Sequence, residues 1–89
     1  MHNYMYTILD VKVSSYQQPF YARSKGEAIR TLTSTLTKQD TILSQYPDDF
    51  RLYELGTFND FDASFQLHDV PQLVGNLTEF MPILDSDSK

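Results

Sequence analysis

Between positions 12 and 30 the chain interleaves cations and aromatic rings: Lys12, Tyr16, Phe20, Tyr21, Arg23, Lys25 and Arg30. Rings stack on unpaired bases and cations track phosphates, so the pattern fits a grip on single-stranded nucleic acid, where each stacked base contributes about 1 to 3 kcal/mol. Burying a Phe in a core yields a similar gain, about 1.5 to 3 kcal/mol, so energy alone does not separate the two uses. Phe20 is read as a core or dimer contact, whereas Tyr16 and Tyr21 suit either use. Arg23 and Lys25 oppose the dipole of a helix that starts beside them. They also place charge next to free backbone N–H groups, which favours a phosphate. The candidate nucleic-acid-binding set is therefore Lys12, Tyr16, Tyr21, Arg23, Lys25 and Arg30.

Other chemistries find less support. His2 stands at the terminus and His68 follows a strand-like run, and neither has a partner in the local pattern that would make it a base or a ligand. Asp48, Asp49, Asp60 and Asp62 flank turn-like positions, where carboxylates ordinarily accept local hydrogen bonds rather than hold a cation. The chain has no cysteine, which removes disulfides, thiolate nucleophiles and the common structural zinc sets. Its three glycines form no phosphate-binding pattern. The expectation is a protein without catalytic residues, metal or cofactor.

The net charge of −5 argues against nucleic acid as a whole-chain property, because duplex and single strands alike are bound mainly through Lys and Arg. Its distribution is uneven. Residues 1–46 hold five basic residues against three acids, and residues 47–89 hold Arg51 and Lys89 against nine acids. Such polarity suits a basic face for an anionic partner or a head-to-tail protein contact. Eighty-nine residues make one domain with a modest core, so a homo-oligomer, a dimer in the first place, is expected. No run of apolar residues approaches the roughly 18 that a spanning helix needs, and no basic-then-apolar leader opens the chain, so the expected location is the cytoplasm.

The elements that position these residues follow from periodicity. Tyr4 to Val13 alternates, with apolar groups on both faces, and predicts a strand inside a sheet or covered on its second face. Ser24-Lys-Gly-Glu27 is a capping box that starts a helix over 25–37, whose stripe is Ala28, Ile29, Leu32 and Leu36. A short helical turn is expected near 40–46, with Ile42 and Leu43 inward and Pro47 ending it. Phe50–Phe58 and Phe61–Leu67 read as two strands joined at Asn59-Asp60, the second with Phe61, Ala63, Phe65 and Leu67 inward. Gly56 marks a bulge or a close backbone approach. Leu73, Val74, Leu77 and Phe80 predict a last helix opened by Val70 and Pro71 and closing before Pro82. The expectation is a single α+β domain over 1–82, with a flexible acidic tail at 83–89. Its small, three-stranded, mainly antiparallel sheet carries helices on one face, in the order strand-helix-strand-strand-helix.

Four short motifs stand in one order: Tyr16-Gln-Gln-Pro-Phe20, Lys25-Gly-Glu-Ala-Ile-Arg30, Tyr46-Pro-Asp-Asp-Phe50, and Leu52-Tyr-Glu-Leu-Gly56 continuing to Phe58-Asn-Asp60. Together, across residues 4–75, they resemble the small nonstructural protein of gokushovirus-type microviruses, which are single-stranded DNA phages. Tyr46 stands where that family often has His, and Asn59 where Asp is common. The resemblance implies a non-enzymatic phage protein of the host cytoplasm. It also implies a suggested role in DNA binding or in switching genome replication from duplex to single-strand synthesis, with no catalytic residues to transfer. Single-stranded DNA is the partner it implies. An acidic module that recruits a host or phage replication protein without touching DNA is the alternative.

Overall fold

A computed structural model describes residues 2–38 and 41–81, without the side chain of His2. The expected tail at 83–89 lies outside the described residues. The elements are β1 (His2–Asp10), β2 (Ser15–Tyr16), β3 (Phe20–Ala22), α1 (Lys25–Leu36), α2 (Ile42–Gln45), β4 (Phe50–Asn59) and β5 (Ser64–Asn76). Short 3-10 turns follow α2 at Pro47–Asp49 and β5 at Leu77–Phe80. The domain is mixed helix and strand, as expected, but among the described residues the sheet has five strands rather than three and the chain order differs.

β1 lies inside the sheet. It pairs antiparallel with β4 along its whole length, from His2 opposite Asn59 to Asp10 opposite Phe50. Its other edge is shared by β3, opposite Tyr4 to Tyr6, and β2, opposite Leu9 and Asp10, which together make one interrupted strand. β5 closes the far side against β4, giving the order β2-β1-β4-β5 with β3 beside β2. β1 stops at Asp10 rather than at Val13, because the Asp10 carboxylate accepts the Lys12 N–H at 3.0 Å and Ser14 takes a left-handed φ of 56°. Those two local choices turn the chain back.

The helices cover one face. Tyr6 and Ile8 of β1 and Phe50 and Leu52 of β4 form a buried cluster with Ala28, Leu32 and Leu36 of α1, Leu43 of α2, and Leu77. α1 begins where the capping pattern puts it, with the Ser24 hydroxyl accepting the Glu27 N–H at 3.1 Å. The returning bond differs from a strict capping box. The Glu27 carboxylate accepts from the N–H of Arg23, at 2.6 Å, one residue earlier than Ser24. The threonines that weaken helix propensity are accommodated because Thr33 and Thr35 donate to the carbonyls of Ile29 and Thr31. In α2, Leu43 is buried as expected and Ile42 is exposed.

Three expectations are corrected on the β4–β5 side. The last helix does not form: β5 runs on to Asn76, and only Leu77–Phe80 turns helically, capped by Asn76 and Glu79. Residues Gln72 to Asn76 instead pair with Arg51 to Glu54, so a non-local ladder satisfies backbone groups that a Gly-containing helix would have satisfied poorly. The hairpin is longer than Asn59-Asp60. Asn59 pairs with Ser64 across a loop in which Ala63 takes a φ of 61° and the Asn59 side chain accepts the Phe61 N–H at 2.9 Å. Phe61, Ala63, Phe65 and Leu67 do not point into the core; all four are exposed, Phe61 at 89%. Phe65 and Leu67 pair opposite Phe58 and Gly56, on the face that carries no helix.

Gly56 performs the predicted role. Leu55 is left over in the register with β1, and β5 bulges out through His68 to Pro71 between its pairs with Glu54 and Gly56. Gly56 has a φ of 156°, and a Cβ there would run into the Gln66 carbonyl oxygen and lie 2.8 Å from Leu67 Cα. Backbone cannot yield as a side chain would. Gly56→Ala is expected to destabilise the fold by about 2 to 4 kcal/mol in urea unfolding, from combined clash and backbone strain. A loss within about 0.5 kcal/mol, the range of an ordinary surface change, would contradict this close approach.

Candidate functional site

The helix-free face of the sheet concentrates the exposed rings. Tyr16 of β2 meets Tyr53 of β4 edge-on at 5.7 Å between centroids, and Tyr21 of β3 meets Phe58 of β4 at 6.1 Å. Phe65 of β5 extends the second group, 5.1 Å from Phe58. Cross-strand pairing explains the arrangement: Tyr16 sits opposite Leu9, Tyr21 opposite Met5, Tyr53 opposite Thr7, and Phe58 opposite Asn3. Beneath the rings Met5 and Thr7 are buried, and the Thr7 hydroxyl donates to the Gln17 carbonyl at 2.6 Å, holding down the link between β2 and β3. Tyr16 and Tyr21 remain 49% and 53% exposed, so their ring faces are open to a ligand. Phe20 packs the other way, against the core and 5.9 Å from Tyr6.

The structure divides the predicted set. Tyr16 and Tyr21 share the open face. Lys12 lies in the β1–β2 turn, and Arg23 and Lys25 lie where β3 passes into α1, so these three flank the β2–β3 edge. Arg30 lies on the outward side of α1, where it lines a shallow depression with Glu27, Thr31, Ser34 and Thr35. It is separated from the tyrosines by the whole thickness of the domain. Sequence reasoning missed Tyr53, Phe58, Phe65 and Arg51. Arg51 is exposed and sits opposite Leu9, in the same cross-strand row as Tyr16. The signal for them was the bulge at Gly56: Arg51 and Tyr53 share a parity, and the extra residue Leu55 brings Phe58 onto the same face at the other parity.

The carboxylates do not converge. Asp48 and Asp49 precede β4 and Asp60 follows it, so a strand of ten residues, about 33 Å by its rise, separates the two groups. Asp62 accepts both the N–H and the hydroxyl of Ser64. Among the described residues no group of three or more His, Cys, Asp or Glu is arranged to hold a metal ion. No helix among them is long and apolar enough to cross a membrane. His68, expected to stand alone, instead places Nε2 2.7 Å from the Glu54 carboxylate.

That carboxylate faces the core. The Tyr6 hydroxyl is fully buried beside Glu54 without a well-formed hydrogen bond. Burial first, and then the neighbouring Glu54 charge, push it up to about 12.

A family model described as Phage ORF5 protein matches residues 3–80, which span β1 through the final 3-10 turn. The chain belongs to this family of phage proteins. No curated protein and no solved structure matches it. The open aromatic face and the polar cluster around Glu54 therefore both lie within the part of the chain that the family model covers.

The Tyr6 environment has a consequence in alkali. Below pH 10.0, the ordinary tyrosine value, Tyr6 is protonated in both the folded and unfolded chain. Between there and about 12 the unfolded chain releases the proton while the folded chain retains it. Stability should fall by about 1.4 kcal/mol per pH unit across that window, about 2 to 3 kcal/mol in all, and level off above it. Tyr6→Phe should match wild type within about 1 kcal/mol at neutral pH and lose this alkaline slope in denaturant titrations. Equal slopes for the two proteins would contradict it.

Proposed function

We propose that this protein is a non-enzymatic DNA-associated regulator of phage genome replication, acting in the host cytoplasm by binding single-stranded DNA on the open face of its sheet. The observation that carries this reading is the placement of Tyr16, Tyr53, Tyr21 and Phe58 on one uncovered sheet surface, with Arg51 among them. Bases lying on a sheet and stacking on its aromatic residues is a general mode of single-strand recognition, and duplex DNA, whose bases are already stacked, has no use for such rings. Lys12, Arg23 and Lys25 supply a phosphate track along the β2–β3 edge, and the acids of the hairpin loop sit at the ends of β4 and β5, on the strands away from that edge. The net charge of −5 keeps the phosphate term small, so stacking has to carry most of the affinity. The resemblance to gokushovirus-type nonstructural proteins supports a role in the change from duplex to single-strand synthesis.

A labelled oligothymidylate titrated by fluorescence anisotropy at several salt concentrations tests the reading. Tyr21→Ala is expected to weaken binding about 5- to 150-fold, the equivalent of one lost stacking contact, while Arg30→Ala leaves it unchanged. Four engaged cations would give a log–log salt slope near about −2.8. Absence of binding at low salt, or a loss with Arg30→Ala as large as with Tyr21→Ala, would contradict it.

A second reading rests on the hairpin loop, where Phe61 is 89% exposed between Asp60 and Asp62. An apolar anchor flanked by acids fits a replication protein that offers an apolar pocket with a basic rim. Phe61→Ala should abolish retention of a phage or host replication protein on the immobilised chain while leaving DNA affinity intact; retention by the variant would remove this reading.

A further inference from the structure

We infer that the β5 side of the open face is the interface of a homodimer. Phe65 and Leu67 lie on that face, Leu73 pairs opposite Tyr53 on it, and Val70 stands in the adjoining bulge. All four are 55% to 66% exposed. Side chains of these sizes then leave on the order of 400 Å² of apolar surface in water. That is about half of the roughly 800 Å² per partner that a stable dimer buries, and it matches the apolar centre that such an interface surrounds with a polar rim. Asn76, exposed on the same strand and paired with the exposed Arg51, supplies polar rim at one end of the patch.

The charge pattern identifies the occupant as a second copy. Thirteen residues of β5 include no Lys or Arg, one acid, Asp69, and one histidine, which is held by Glu54. A polynucleotide gains nothing from such a strand. A two-fold contact requires a patch complementary to itself, and an uncharged apolar patch meets that requirement without a matching charge. The contact is made by the face of the strand rather than by its edge, because the His68–Pro71 bulge and Pro71 itself interrupt the edge that would otherwise pair. The backbones of β2 and β3, which carry Tyr16 and Tyr21, lie three strand spacings away, about 14 Å, with the Phe58 ring between Tyr21 and Phe65. The inference rests on β5 alone and stands or falls separately from the reading of DNA binding.

Sedimentation velocity of the wild-type chain and of Leu67→Glu/Leu73→Glu, from about 1 to about 100 µM, reads the mass directly. The wild type is expected to reach twice the chain mass, and the double variant to dissociate at least 100-fold more readily with a melting temperature within a few degrees of wild type. A cross-linking arm keeps the test decisive if the double variant fails to fold. The chain contains no cysteine, so under mild oxidation Leu73→Cys should form a covalent dimer faster than Ser34→Cys on the outer side of α1. A wild-type monomer across the whole range, a folded double variant that stays dimeric, or equal cross-linking of the two cysteine variants would overturn the inference.

Discussion

Everything in this domain hangs on the two-sided use of β1. Tyr6 and Ile8 leave the strand toward α1 and close the core with Phe50 and Leu52, while Met5 and Thr7 leave it on the other side and are buried there without a helix, Thr7 bonded to the Gln17 carbonyl. Because β1 is paired on both edges, its backbone is satisfied without help from the helices. The helices are thus free to cover one face, and the other is left with half-exposed aromatics. A sheet of this size with a single helical layer ends in that asymmetry, which is also what makes one face available to a partner.

Much of the first half was legible because its signals are local. Ser24 and Glu27 lie three residues apart and define the start of α1 by themselves. In the second half, Gly56 is as local a signal, marking a close backbone approach by its residue type alone. The errors cluster where the deciding contact is distant. Leu73, Val74, Leu77 and Phe80 do fall at helical spacing, but the ladder from Gln72–Asn76 to Arg51–Glu54 took most of the segment into the sheet. β2 and β3, two and three residues long, are too short to show a period at all.

The misplacement of Phe61, Phe65 and Leu67 has a different origin. Alternation reports which residues of a strand share a face; it does not report which face is covered. Phe65 and Leu67 do lie together, as alternation requires, on the side that lacks a helix. The candidate site suffered from the same limit. Tyr16 and Tyr21 were recognisable as rings among cations, yet their ring neighbours Tyr53 and Phe58 come from β4, where the bulge changes the parity between them. Arg30 drew attention through sequence proximity to Arg23 and Lys25, but one and a half turns of α1 carry it to the outer surface.

The charge asymmetry of the sequence becomes spatial in the fold: Lys12, Arg23 and Lys25 beside the β2–β3 edge, Asp60, Asp62 and Asp69 on the hairpin and β5. The central claim is that the open face, rather than the helical one, meets the ligand. Following the aromatic ring and backbone resonances during addition of an oligothymidylate tests it most directly. Ring-proton shifts are expected at Tyr16, Tyr21, Tyr53 and Phe58 with the outer side of α1 undisturbed. Shifts centred on Arg30, Thr31 and Ser34, or none anywhere, would contradict it.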